Sequence, residues 1–250
     1  MNPGTLYLIP TPLGEGPLEL ILPAGVSQIA SELDTFIVEH PKTARQFLKQ
    51  VGTKMPLQSI EMKVLDEHTK TEHIADLLKP LLDGKNVGLI SEAGCPAVAD
   101  PGSELVRQAH ALKIPVVPLV GPSSIMLALM ASGLNGQRFR FLGYLPTEKN
   151  ARIDRIREIE KDSSRQDETE IFIETPYRND VLMEDLLQTC SGDTLLSVAM
   201  DLTTPSQWVQ TRTIEQWRKS MPELGKRPAV FLLYRKHAGN NPLKGSRRKT

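Results

Sequence analysis

The chain has 250 residues, 40% of them hydrophobic and 24% charged, enough for one large domain or two smaller ones of ordinary globular composition. Its 30 Lys and Arg balance 30 Asp and Glu, so no global field draws it onto nucleic acid or membrane; the one local exception is the basic tail Lys244 to Lys249. The start, MNPGTLYLIP, does not read as a secretory signal, no apolar run reaches the length of a membrane span, and Cys95 and Cys190 form no paired-cysteine motif. The expectation is a soluble, cytoplasmic protein with neither a disulfide framework nor a zinc site.

In chain order, the first half alternates short apolar runs with helical patterns. Thr5 to Pro10, Thr35 to Glu39, Ile60 to Leu65, Asn86 to Ser91 and Ile114 to Val120 read as strands. Ala24 to Leu33, Thr43 to Val51, Thr71 to Leu82 and Ser103 to Leu112 carry apolar residues at helical spacing. Pro23 leaves the start of the first helix open. Such alternation predicts a mainly parallel sheet covered on both faces.

The character changes after Gly121. Ser123 to Ser132 is apolar almost all round and ends at Gly133, so it predicts a helix buried on several sides, for instance between two domains or two subunits. Arg138 to Leu145 alternates as a half-exposed strand, with Phe139 and Phe141 on one face and Arg138 and Arg140 on the other. A charged helix follows from about Thr147 to Arg165, then strands at Glu170 to Thr175, Leu195 to Thr203, Trp208 to Ile214 and Ala229 to Lys236. Several are joined by short connections, which favours antiparallel pairing. The expected organisation is an α/β domain at 1–119 with a mainly parallel sheet, a second α/β domain at 120–238 with a mixed sheet, and a disordered tail at 239–250.

The connection Ser91 to Gly102, SEAGCPAVADPG, stands between an apolar strand and a helix, where open α/β sheets bind small ligands. Gly94 and Gly102 permit close backbone approach, Pro96 and Pro101 fix the loop's shape, and Asp100 fits an N-cap followed by proline. Its local chemistry is equally compatible with a rigid turn and nothing more. Other motifs fall away. Gly14 and Gly16 lack the third glycine of a dinucleotide fingerprint, and the Gly-Lys pairs at Gly84 and Gly225 lack the upstream glycine of a phosphate loop. His68 and His73 miss the metal-helix spacing, Ser123 and Ser124 fit a helix cap better than a nucleophile elbow, and Trp208 and Trp217 read as packing residues.

Five segments in order form a larger pattern: Gly4 to Gly14, Ser91 to Gly102, Pro118 to Leu134, Phe141 to Pro146 and Phe172 to Arg178. Together they resemble the tetrapyrrole methylase superfamily of S-adenosylmethionine-dependent methyltransferases. The closest resemblance within it is to the branch that methylates ribose 2′-hydroxyls of small-subunit ribosomal RNA. The resemblance implies two α/β domains with the cofactor in the cleft between them, and a homodimer. It implies that Pro12, Leu13 and Gly14 contact the cofactor after the first strand, and that Glu92, Gly94, Cys95 and Pro96 do so after the fourth. Ser123, Ser124 and Ile125 would contribute at the start of the buried helix, and Thr175, Pro176 and Tyr177 from the second domain.

The chain departs from that branch chiefly on the acceptor side. Its Glu-Asp-Thr-Arg becomes Glu39, His40, Pro41 and Lys42; its His-Glu-His-Asn becomes Asp66, Glu67, His68 and Thr69. Glu92 replaces an Asp, and the later Glu-Leu-Thr-Lys becomes Asp201 to Thr204 without the lysine. A 2′-hydroxyl acceptor would benefit from a base, for which Glu39, His40, Glu67 and His68 are the candidates; they read equally as polar rim residues. Arg138, Arg140, Arg152, Arg155 and Arg157 are candidates for a local RNA-binding patch. The alternatives are a small-molecule methylase acting on a tetrapyrrole, and a degenerate member that binds cofactor or RNA without catalysis. No metal is needed for either chemistry.

Overall fold

In the computed structural model of the protein, residues 2–66 and 68–236 are described; Glu67 and the basic tail lie outside the described residues. Two compact units are present, one running to Ser123 and including Thr203–Pro205, the other Ser124–Leu202 with the described residues from Ser206 onward.

The first unit is built from β1 (Leu6–Leu8), α1 (Ala24–Glu32), β2 (Thr35–Val38), α2 (Pro41–Val51), β3 (Glu61–Val64), α3 (Thr71–Leu82), β4 (Val87–Ile90), α4 (Gly102–Ala111) and β5 (Val116–Pro118). Its sheet is fully parallel in the order β3-β2-β4-β1-β5. Every residue of β2 and β4 is buried, which explains why they read as unbroken apolar runs rather than alternating ones. Side chains alternate between two cores. Leu6, Ile37, Val87 and Leu89 pack with Leu78 of α3 and Leu105 of α4. Ile9, Phe36, Val38 and Ile90 pack with Ala30 of α1 and Phe47 of α2. Helices therefore cover both faces, as the alternation predicts.

The second unit holds α5 (Ser124–Ser132), β6 (Phe139–Tyr144), α6 (Lys149–Gln166), β7 (Thr169–Glu174), α7 (Asn179–Thr189), β8 (Leu195–Met200), β9 (Trp208–Thr213), α8 (Ile214–Lys219) and β10 (Ala229–Tyr234). The sheet order is β6-β7-β10-β8-β9, with β6 and β7 parallel and the other pairs antiparallel. This is the expected mixed sheet. Its core joins α6 and α7 to the sheet through Ile156, Ile159, Leu182, Leu186, Phe172 and Phe231, the last two rings stacked at 5.9 Å. Trp217 is fully buried and its indole N–H donates to the Leu196 carbonyl at 2.9 Å, so the packing reading of that tryptophan holds.

Several expectations need correction. Helix α4 opens at Gly102 rather than Ser103, with Pro101 rather than Asp100 at the N-cap position; the Asp100 carboxylate, one residue earlier, accepts the Gly102 amide at 2.7 Å. Helix α6 opens at Lys149, where Glu148 accepts the amides of Asn150 and Ala151 at 2.9 and 2.7 Å. Helices α7 and α8 were not anticipated, although α8 starts with a capping box between Thr213 and Gln216. Helix α5 buries Ala128 and Leu129 but leaves Met126 45% and Met130 76% exposed, so burial on several sides is not met within the chain.

Four of the five arginines considered for a local patch are ion-paired within the chain. Arg152 is buried, its guanidinium bonded to Asp185 and to the carbonyl of Thr147. Arg140 is held by Glu170 and Asp162, Arg155 by Glu158 and Arg157 by Asp154. Of the five, these four spend their charge inside the chain. Among the described residues, no helix is long and apolar enough to cross a membrane, and no group of three or more His, Cys, Asp or Glu could hold a metal ion.

Candidate active site

Strand order fixes where the first unit can bind a ligand. The connection from β1 leads to β2 on one side, whereas that from β4 leads to β5 on the other, and β1 and β4 are neighbours. Connections leaving adjacent parallel strands in opposite directions open a crevice at their carboxyl ends. The loops that meet at this edge are those after β1, β2, β4 and β5.

Hydrogen bonds tie these loops together. Thr11 and Gly94 form an isolated bridge, each amide donating to the other's carbonyl at 3.0 and 3.1 Å. Leu13 lies beside Gly94, which adopts φ +77°; a Cβ there would sit 3.2 Å from the Leu13 side chain. Cys95 donates from Sγ to the Pro122 carbonyl at 3.4 Å, and burial pushes its thiol pKa up. Gly121 stands against Pro10, where a Cβ would come within 2.2 Å of the proline ring. The loop after β1 thus reaches both neighbouring loops.

On the other flank, the Glu39 carboxylate accepts the main-chain amide of Glu92 at 3.2 Å. The Thr43 hydroxyl, in the first turn of α2, donates to Glu92 Oε1 at 3.1 Å and lies equally close to the His40 carbonyl. The loop after β4 is also held from within. Asp100 Oδ1 accepts the amides of Ala97 at 2.8 Å and Gly102 at 2.7 Å, closing a turn in which Ala97 and Ala99 adopt φ +65° and +58°. Two non-glycine residues in the left-handed region cost about 1–2 kcal/mol each. Such strain persists where surrounding bonds over-determine the shape, and it clusters at ligand sites. Burial pushes the Asp100 carboxyl pKa up, against the pull of the two amides.

The structure therefore brings together Pro12, Leu13, Gly14, Glu39, Glu92, Gly94, Cys95 and Pro96 at one carboxyl edge of the first unit, with Ser123 ending that unit. The charged side chains whose hydrogen bonds fasten the loop after β4 are Glu39, Glu92 and Asp100, all carboxylates. That donor set suits a cationic ligand group.

His40 is the exposed N-terminal flank of α2, with its carbonyl rather than its ring engaged. His68 lies beyond β3, two strands from β4, or about 10 Å across the sheet. It belongs to a turn in which Thr69 donates to Asp66 and holds that carboxyl's pKa below its usual range. Ser124 and Ile125 open α5 in the second unit. Thr175 there precedes a short 3-10 turn, Pro176–Arg178, at the end of β7. Sequence reading missed Thr11, Thr43 and Pro122 as loop fasteners; nothing in their local pattern marks them, since each acts through a contact distant in sequence.

Comparison with known proteins speaks to the family and the fold. A family model described as Tetrapyrrole (Corrin/Porphyrin) Methylases matches residues 5–217. The chain is 31% identical over 241 residues to "Ribosomal RNA small subunit methyltransferase I" of Haemophilus influenzae, covering 95% of this chain and 81% of that protein. It is 34% identical over 205 residues to the Vibrio cholerae protein of the same name, covering 82% and 67%. Among solved structures, the methyltransferase CobJ aligns with a TM-score of 0.62 at 19% identity over 94% of each chain. A uroporphyrin-III-C-methyltransferase from Thermus thermophilus aligns with a TM-score of 0.52 at 19% identity over 92% of each. At that identity the two structures speak for the fold.

Proposed function

We propose, from the premise that the chain belongs to the tetrapyrrole (corrin/porphyrin) methylase family and is a methyltransferase, that it transfers the methyl of S-adenosylmethionine to a ribose 2′-hydroxyl of small-subunit ribosomal RNA. The observation that carries the acceptor is the length and level of similarity to the two ribosomal RNA methyltransferases, 31% and 34% over most of this chain.

The residues at the carboxyl edge fit the cofactor. S-adenosylmethionine supplies a methyl group already activated on a sulfonium, beside an ammonium and a carboxylate. Glu92 offers an exposed acid toward cationic groups, and the backbone around Gly94, Cys95 and Pro96 can approach closely because no Cβ projects at Gly94. Pro12, Leu13 and Gly14 give an apolar wall, and Ser123, Ser124, Ile125, Thr175 and Pro176 are assigned to the cofactor by the resemblance. Because the methyl is pre-activated, the chain's work is to align donor and acceptor and to exclude water. The acceptor hydroxyl loses one proton as the carbon–oxygen bond forms. Glu39 is engaged by the Glu92 amide and serves as a loop fastener in this reading, which leaves His40 and His68 as the described candidates to take that proton.

A small-molecule acceptor is the competing reading; the internal pairing of Arg140, Arg152, Arg155 and Arg157 favours it. Calorimetry with S-adenosylmethionine and S-adenosylhomocysteine tests the cofactor, and absence of binding by both removes the proposal. Mapping ribose methylation of ribosomal RNA in cells with and without the gene tests the acceptor; an unchanged map leaves the small-molecule reading. We also propose a cytoplasmic homodimer, for which the exposed Met126 and Met130 of α5 offer an apolar surface. Light scattering of the purified protein decides between monomer and dimer.

A further inference from the structure

The second unit presents an aromatic ring and a cation together at the end of its sheet where β7 finishes and β10 begins. Tyr177, in the 3-10 turn after β7, is 77% exposed, and the Lys226 ammonium lies 4.9 Å from its ring centroid. A single exposed aromatic is ordinary. This one is distinguished by the charge beside it and by the way both residues are held.

Three cations occur in this part of the unit. Arg178 is paired with Glu174, and Arg227 with Asp201 at 2.5 Å and the Ser206 carbonyl at 2.7 Å. Among the described residues, no carboxylate pairs with Lys226, whose ammonium stands over the Tyr177 ring. Its charge is thus available to an incoming anion, whereas the arginines' charges are not.

The loop that carries Lys226 is fastened rather than free. The Asp180 carboxylate accepts the amides of Leu224 at 2.8 Å and Gly225 at 3.2 Å. Fully buried Asn179 donates from Nδ2 to the Arg227 carbonyl at 2.7 Å. Gly225 takes φ +61° to make the bend. On the other side, the Arg178 amide donates to the Thr175 carbonyl at 2.9 Å and fixes the turn bearing Tyr177. Both side chains are therefore presented from backbone that needs little further ordering on binding.

A ring flanked on one face by a cation that no carboxylate pairs suits a single-stranded nucleic acid, whose unstacked bases lie on aromatic faces while its phosphates meet Lys or Arg. The methyl donor also carries an adenine and a carboxylate, so cofactor affinity is the control that separates the two ligands in the test below. Although the family resemblance associates Tyr177 with the cofactor, we infer that Tyr177 and Lys226 form a platform that stacks one nucleobase of the acceptor RNA and contacts a neighbouring phosphate. This inference rests on ribosomal RNA being the acceptor.

The test uses the full chain with Tyr177→Ala, Tyr177→Phe and Lys226→Ala. The probes are a labelled single-stranded oligoribonucleotide of about 12 nucleotides and an abasic oligomer of the same length. Tyr177→Ala is expected to weaken binding of the base-bearing oligomer about 10-fold and to leave the abasic oligomer unaffected, with Tyr177→Phe restoring the affinity. Lys226→Ala should weaken both oligomers and flatten the log–log salt slope by about 0.7. Calorimetric affinity for S-adenosylmethionine should be unchanged in all three. Equal loss on both oligomers in Tyr177→Ala, no loss on either, or a matching loss of cofactor affinity would each overturn the platform. If the unsubstituted protein methylates small-subunit RNA and Tyr177→Ala does so equally well, the platform alone fails. If the unsubstituted protein binds neither oligomer and leaves ribosomal RNA unmethylated, the RNA reading and the platform fail together.

Discussion

The Glu39 carboxylate accepts the main-chain amide of Glu92 at 3.2 Å, joining two loops 53 residues apart in sequence. The bond links the ends of β2 and β4, neighbours in the parallel sheet, and sets the entry to the loop that carries Gly94 and Cys95. A hydrogen bond to a charged group is worth about 1.5–3 kcal/mol net. Glu39→Ala is therefore expected to weaken S-adenosylmethionine binding about 10-fold, while Glu39→Gln, which keeps an acceptor oxygen, should retain most of the affinity. Were Glu39 the proton acceptor, both variants would instead bind cofactor normally and lose turnover together. Calorimetry and single-turnover methyl transfer on the same three proteins distinguish these outcomes.

The close approach of Gly121 to Pro10 gives a second prediction. A Cβ at residue 121 would fall 2.2 Å from Pro10 Cβ, whereas one at Gly136 meets nothing within 4 Å. Pro10 and Gly121 lie on the loops after β1 and β5, so their contact sets the spacing of one flank of the candidate site. Neither side can yield by rotating a flexible side chain. Gly121→Ala should destabilise the protein by about 1–3 kcal/mol in urea unfolding, and Gly136→Ala should stay within about 0.5 kcal/mol. Equal effects of the two would mean that the loops move apart without cost.

The sequence disclosed most of the fold because the fold's signals are local. TFIV in β2 and VGLI in β4 are unbroken apolar runs, as strands buried on both faces must be, and the helix at Thr71–Leu82 has the bounds its periodicity predicts. Helix α7 is as legible, with Leu182, Met183, Leu186 and Leu187 at helical spacing. The site was legible only in part. Gly94 and Asp100 sit in a loop whose composition announces a turn, but the bonds that shape it come from Thr11, Glu39 and Thr43, each selected by strand order. The pairing of the arginines was illegible for the same reason: whether Arg152 carries free charge depends on Asp185, 33 residues away.

That pair supplies a third prediction. Arg152 donates from Nε to Asp185 Oδ2 at 2.7 Å, both side chains are nearly inaccessible, and the guanidinium also donates to the Thr147 carbonyl. Removing one member leaves a buried charge without its partner, at a cost of about 3–5 kcal/mol. Arg152→Ala and Asp185→Ala should each lower stability by that amount, while Arg152→Met combined with Asp185→Leu should recover most of it. Chemical denaturation of the four proteins decides the matter. Additive losses in the double variant would show that the two charges do not depend on each other.

Tyr234, near the end of β10, donates its hydroxyl to Asp167 Oδ1 at 2.6 Å, and Asp167 terminates α6 in the left-handed conformation at φ +55°. Burial first, then the bond to the carboxylate, pushes the phenol's pKa up from 10.0 to about 12. The folded chain thus holds this proton more tightly than the unfolded chain does. The stabilisation is complete below pH 10, where both forms keep the proton, and is lost as pH rises toward 12. Tyr234→Phe should cost about 1–2 kcal/mol well below pH 10, and the gap between variant and parent should shrink as the pH approaches 12. Because the other titrating groups are common to both proteins, the difference in their urea midpoints isolates this hydroxyl. A gap that stays constant across that range would mean that the folded chain holds this proton no more tightly than the unfolded chain does, and no gap at any pH would mean that Tyr234 contributes through its ring alone.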